Sequence, residues 1–153
     1  MATIINNNRK SKFKYEILIK YIAGIKLYGS EVKSIKNNDV SISEAYCYIE
    51  NNTILIKNMH IAEYKESGKY QNHNPTRDRV LLLNKIEIKK LKERVNQKGL
   101  TIIPLAVLLT DTGLIKIEIG LAKGKNLYDH RNDIKEREQE KEISREAKII
   151  NNI

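Results

Sequence analysis

At 153 residues the chain has room for one domain with a sizeable core and an appendage, and two domains are not expected. Its 28 Lys and Arg against 19 Asp and Glu leave a formal charge of +9, which points to a polyanionic partner, either nucleic acid or an acidic membrane surface. The lone Cys47 excludes an intrachain disulfide or a cysteine zinc cluster, no apolar run approaches the ~18 residues of a membrane span, and the N-terminus lacks a signal-peptide core, so a soluble cytoplasmic protein is expected.

Residues 1–11 are polar and basic and read as a flexible arm that orders on contact with a partner. Phe13, Tyr15, Ile17, Ile19 and Tyr21 then alternate, which predicts a half-buried strand broken at Ala23-Gly24 and Tyr28-Gly29. A short helix is predicted over 30–36, with Ser30 as N-cap, Glu31 in the first turn, and Val32 and Ile35 facing inward. Ile42 to Ile49 alternates again, with Ala45, Cys47 and Ile49 on one face and Tyr46 and Tyr48 on the other. Asn51-Asn52 turns it into a second arm, Thr53 to Ile61. Ala62 to Arg79 has few aliphatic residues and reads as a long loop, a class of segment that is often functional.

At Asn84 the period becomes helical. Asn84 and Glu87 form an imperfect capping box, Ile88, Leu91 and Val95 make one stripe, Lys85, Lys89, Lys92 and Lys98 face away, and Gly99 ends the helix. Thr101 to Thr110 is an apolar strand with a bulge or edge position at Pro104. Asp111-Thr112-Gly113 turns it into a partner strand with Ile115, Ile117, Ile119 and Leu121 inward. Short twisted strands with two short helices imply a closed or nearly closed barrel, with a half-open sandwich as the alternative.

Residues 132–153 carry 5 bases and 6 acids, so the positive excess, +10, sits in residues 1–131. Projected as a helix at about 100° per residue, the tail places Arg137, Lys141, Arg145 and Lys148 within an arc of roughly 80°, with no apolar face to dock on the body. A marginal helix of this kind is expected to be disordered in the free protein and helical when its basic stripe meets phosphates, the alternative being a permanently solvated end.

His60, His73 and His130 are candidates for acid–base or metal chemistry. Without a His-x-x-x-His spacing, paired Cys or a Walker-type loop, a nuclease using His73 or His130 with Asp129 is only a minor reading, and no enzyme is expected. The cations are more telling. Arg77 and Arg79 precede the helix at 84, Lys33 and Lys36 lie on the first helix, and Lys116, Lys123, Lys125 and Arg131 run down the last strand into the stretch 121–131. Singly each is explained by solvation; together with Tyr and His able to stack on bases they fit RNA held by backbone and shape.

At these residues the sequence resembles the SsrA-binding protein family, also called small protein B. The resemblance rests on Asn8-Arg9-Lys10 with Tyr15, on Ala23-Gly24-Ile25, and on Gly29-Ser30-Glu31-Val32-Lys33-Ser34. It continues through Asn74-Pro75-Thr76-Arg77-Asp78-Arg79 with Leu81-Leu82-Leu83, Gly99-Leu100-Thr101, and Ala122-Lys123-Gly124-Lys125 with Asp129 and Arg131. It implies a mainly β fold with short helices, an OB-fold-like closed β-barrel over 12–127, a basic arm over 1–11 and a C-terminal tail over 128–153. It further implies a non-enzymatic partner of transfer-messenger RNA that needs no cofactor or metal. Such a protein binds the tRNA-like domain and delivers it, with elongation factor Tu acting through the RNA, to stalled ribosomes for trans-translation, as a monomer and away from membranes.

Carried over residue by residue, the resemblance implies RNA contacts at Tyr15, Lys33, Arg77, Arg79, Leu82, Asn84, Lys116, Lys123, Gly124 and Lys125. It implies decoding-site contacts with small-subunit rRNA at Tyr128, Asp129, His130 and Arg131, and the basic stripe of the projected tail helix makes Arg137, Lys141 and Arg145 the expected messenger-channel contacts. Four positions depart from the family pattern: Ile22 replaces a Glu, Val80 and Asn126 replace Lys, and His130 replaces Lys. Fewer fixed cations imply a shallower dependence of RNA affinity on salt.

Overall fold

The computed structural model describes residues 2–68, 72–96 and 99–124. Among them nine strands and three α-helices follow in order, with one 3-10 turn at Lys65–Ser67: β1 (Thr3–Asn7), α1 (Ser11–Lys14), β2 (Tyr15–Ile25), α2 (Gly29–Lys36), β3 (Val40–Ser41), β4 (Tyr46–Glu50), β5 (Thr53–Lys57), β6 (His60–Ile61), β7 (Arg79–Leu82), α3 (Lys85–Val95), β8 (Leu100–Leu109) and β9 (Ile115–Gly124).

The strands close on themselves. β8 pairs with β4, β4 with β5, β5 with β7, β7 with β2 and β2 with β9, and β9 returns to β8, every pair antiparallel. The barrel expected from the sequence is therefore the architecture present, and the half-open sandwich is excluded. Alternation does the closing: Ile115, Ile117, Ile119 and Leu121 of β9 point into a core shared with Ile54 and Ile56 of β5, Leu81 of β7 and Ile102 and Val107 of β8. Ile35 of α2 and Ile88 and Leu91 of α3 join the same core, so each helix is held by the residues that its period predicts.

Two bulges bend the long strands. One lies between Pro104 and Ala106 of β8, where proline has no N–H to give the ladder. The other lies between Ile17 and Ile19 of β2, and it lets the consecutive residues Leu18 and Ile19 both enter the core, which strict alternation forbids. The Asn51-Asn52 turn is as expected: both residues have positive φ, 51° and 61°, and Glu50 faces Thr53 across a two-residue hairpin. Asn84 caps α3 by accepting the Glu87 N–H at 2.9 Å.

Several expectations need correction. The N-terminal arm is not loose: β1 pairs with β8, Thr3 opposite Leu109 and Asn7 opposite Ala106, and Asn8 is buried. Polar composition hid this because β1 is a half-exposed edge that is fixed by backbone pairing rather than by a buried face. Phe13 lies in α1 outside the strand. Ala23-Gly24 does not break β2, because Gly24 is ladder-paired on both sides, with Leu82 and with Lys116. Ser30 is not the N-cap of α2; that position is Tyr28, whose N–H donates to Glu31 Oε1 at 2.8 Å. The stretch 42–49 divides into a loop and β4, and the second arm stops at Lys57, because Asn58 turns the chain with φ 60° and sends β6 to pair with β3. α3 ends at Val95, before Gly99, whose φ of 84° leads into β8. The boundary at 127/128 and the tail lie outside the described residues.

Candidate nucleic-acid interface

β2 runs from one end of the site to the other. At its C-terminal end Gly24 is flanked by Leu82 of β7 and Lys116 of β9, and directly opposed residues share a face of the sheet. Lacking a side chain, Gly24 lets its neighbours meet over it: a Cβ there would stand 3.3 Å from Leu82 Cβ and 3.7 Å from Lys116 Nζ. Leu82 is 48% exposed, and Ile22, two residues back on the same face, is 53% exposed opposite Glu118. Asn84 follows Leu82 closely, with its Oδ1 occupied by the α3 cap, which leaves its amide nitrogen for another partner.

Beside this row a buried carboxylate organises the long loop. Glu31 is fully buried on α2 and takes both arginines of the Arg-Asp-Arg segment. Arg77 Nε donates to both Glu31 oxygens at 3.1 Å and its Nη2 to Oε1, while its guanidinium lies 4.2 Å from the Tyr28 ring centroid. Arg79 Nε donates to Glu31 Oε2, Nη1 to the Met59 carbonyl at 2.6 Å, and Nη2 to the Pro75 and Asn74 carbonyls at 3.1 and 3.4 Å. Burial on its own would raise the Glu31 pKa, but the hydrogen bonds from Arg77, the Tyr28 N–H and Arg79 outweigh it and hold the carboxyl below its ordinary value. Burial lowers the Arg79 pKa, and the pull of Glu31 in the opposite direction only partly offsets it.

Of the two arginines expected at RNA, therefore, only Arg77 reaches the surface. Arg79 is 0% exposed with its donors satisfied inside, so its place is structural. His73, a candidate for chemistry, is likewise interior. Its Nε2 faces the Ile61 carbonyl at 2.8 Å and must donate to it, so in the neutral ring Nδ1 accepts from Ser30 Oγ, also at 2.8 Å. Lys33 is exposed on α2 with its Nζ 5.3 Å from the Tyr64 ring.

The other predicted residues collect at the opposite end of β2. Tyr15 is paired with Gly124, and Glu16 with Lys123. Next to them a cavity of about 360 Å³ is lined by Asn8, Lys10, Lys14, Tyr15 and Tyr46, with the Lys10–Glu44 ion pair at 3.2 Å on its rim. From Tyr15 to Gly24 is nine residues, or about 30 Å along the strand. The expected RNA face is thus two basic areas on one barrel: Lys33, Arg77, Leu82, Asn84 and Lys116 toward one end, Tyr15, Lys123 and Gly124 at the other. Lys125, Tyr128, Asp129, His130, Arg131, Arg137, Lys141 and Arg145 lie outside the described residues. Among the described residues no group of three or more His, Cys, Asp or Glu is placed to hold a metal ion, and no helix is long and apolar enough to cross a membrane.

Sequence reading missed Glu31 as the organiser, and Tyr28 beneath Arg77. The pairs span 46 and 48 residues, and no local period reports a contact of that separation. An acid in a first helical turn already had a sufficient local explanation.

A closed barrel with cations at both ends defines an RNA-binding protein of the oligonucleotide-binding barrel type. The model of the SmpB protein family matches residues 5–149, and the chain belongs to that family. Among its relatives are the SsrA-binding protein of Christiangramia forsetii, 48% identical over 146 residues covering 95% of this chain and 92% of the relative, and that of Cytophaga hutchinsonii, 50% identical over 138 residues covering 90% of each. A solved chain described under "tmRNA-SmpB: a journey to the center of the bacterial ribosome" superposes with a TM-score of 0.67 at 40% identity, over 92% of this chain and 94% of that one.

Proposed function

We propose that this protein binds the tRNA-like domain of transfer-messenger RNA and delivers it to stalled ribosomes for trans-translation, with elongation factor Tu carried by the same RNA. The observation that carries the reading is the near-complete coverage of relatives named SsrA-binding proteins at 48% and 50% identity. In this reading it works as a cytoplasmic monomer and an adaptor, not an enzyme. Lys33, Arg77, Leu82, Asn84 and Lys116 form one RNA contact and Tyr15, Lys123, Gly124 and Lys125 a second. Residues 128–153 enter the empty messenger channel, with Tyr128, Asp129, His130 and Arg131 at the decoding site and Arg137, Lys141 and Arg145 along the channel. Arg79 supports the first contact from inside by fixing Glu31 and the loop.

The test is a binding titration at one fixed salt concentration, with the tRNA-like domain set against an unrelated structured RNA of equal length. Selectivity of about a hundredfold, ~2.7 kcal/mol, is the expected result. Equal affinity would make the protein a general RNA binder or chaperone. For the tail, a chain ending at residue 127 should keep that selectivity and lose tagging of stalled chains; unimpaired tagging would refute the channel role.

A further inference from the structure

α3 starts one residue after Asn84, at the edge of the first RNA contact. Along it lies a groove of about 610 Å³ between the helix and the Asn51-Asn52 turn, walled by Lys85, Lys89 and Lys92, with Ile88 inside and Asn52 opposite. Positions 85, 89 and 92 are related by four and three residues, so they share one helix face and span about 10 Å along the axis. Among the described residues none of the three lysines is in an ion pair. Among the described residues Glu93 is the only acid lining the groove, and with the three lysines it leaves two net positive charges at neutral pH. Like charges three and four residues apart destabilise a helix by a few tenths of a kcal/mol per pair; Glu93, four residues after Lys89, offsets part of that cost, and a bound polyanion removes the rest.

We infer that this groove is an RNA-backbone site, in which the strand that meets Leu82 and Asn84 continues along α3 with phosphates on Lys85, Lys89 and Lys92 and a sugar or base edge over Ile88 and Asn52. The inference rests on the proposed function for the identity of the RNA. Charge and continuity with Asn84 favour a phosphodiester chain as the occupant. Three ammonium groups at rotatable stem ends make point contacts to phosphates and read no sequence.

The experiment is a salt series. Affinities of the full chain and of the Lys85→Gln, Lys89→Gln, Lys92→Gln triple variant are measured for the tRNA-like domain and for the control RNA at several salt concentrations. Each phosphate contact contributes about 0.7 to 0.9 to the slope of log affinity against log salt, so the triple variant should lose about two units of slope on the tRNA-like domain. An unchanged slope overturns the inference. Should the triple variant melt early, the single variants K89Q and K92Q read the same quantity, at somewhat under one unit each. The two failures are separable: equal binding of both RNAs by the unmodified chain sinks the functional reading, whereas the slope decrement tests the groove on either RNA.

Discussion

Glu31 shows what one side chain can do in this fold. It closes the start of α2, neutralises a buried arginine and pins a loop from nearly fifty residues away. Glu31→Gln leaves Arg79 buried without its counter-charge, and a loss of about 3–5 kcal/mol in urea unfolding is expected. Because the folded carboxyl lies below the ordinary value of 4.5, its contribution is full above that value and is lost as pH falls through it toward the folded pKa. The gap between the native protein and Glu31→Gln should therefore be wide at about pH 7 and shrink steadily below about pH 4.5; a gap independent of pH would contradict the assignment. Cys47 is the opposite case, inert by design: burial pushes its thiol far up, so the folded protein should resist alkylation that the unfolded chain undergoes quickly. That Cys47 is buried was legible from its strand face. Arg79 was not legible as interior, because a cation beside Arg77 and Asp78 in a loop looks like surface until its carboxylate is found across the fold.

At the level of elements, strand period and turn chemistry were readable and strand continuity was not. The hairpin β8–β9, the cap at Asn84 and the positive-φ Asn51-Asn52 turn all follow from local rules. Gly24 and the N-terminal strand do not, since what decides them is the neighbour across the ladder. Gly120 gives a sharp test. A Cβ there would meet Leu105 Cδ1 at 2.9 Å and Ile17 Cγ2 at 3.0 Å, in the small apolar cluster outside the barrel that also holds Ile103 and Ala122. Gly120→Ala should cost about 1–3 kcal/mol by overpacking, measured by thermal or urea unfolding. Removing residues 1–7 strips β1 from β8 and takes away the Asn6 Oδ1 that accepts the Ile42 N–H at 3.1 Å. The exposed edge at Ala106–Leu109 is then free to pair with another chain, so the shortened protein should sediment as larger species than the full chain.

Across the whole molecule, charge and fold divide the work. The core is made by apolar alternation, while the cations of the proposed contacts, the interior Arg79 apart, lie at the two ends of β2 and along α3, where one RNA can be held at separated points. The sequence showed that the charge belongs to the body, but not that it is split, because residues adjacent in a motif such as Arg77 and Arg79 part company at the surface while Tyr15 and Gly124, 109 positions apart, come together.

The closure of the barrel has a temporal side. On the second edge of β8, Ile102 pairs with Cys47 of β4 and the stretch Ala106–Leu109 pairs with β1, so the first strand made is completed by one of the last, Thr3 finding Leu109. During synthesis the N-terminal strand must wait, unpaired, until about a hundred more residues have left the exit tunnel, and contacts of such separation form slowly. Its Asn-rich, sparsely apolar sequence, Thr-Ile-Ile-Asn-Asn, suits that wait: a strand with little to bury is a poor template for the wrong neighbour while its own partner is still being made.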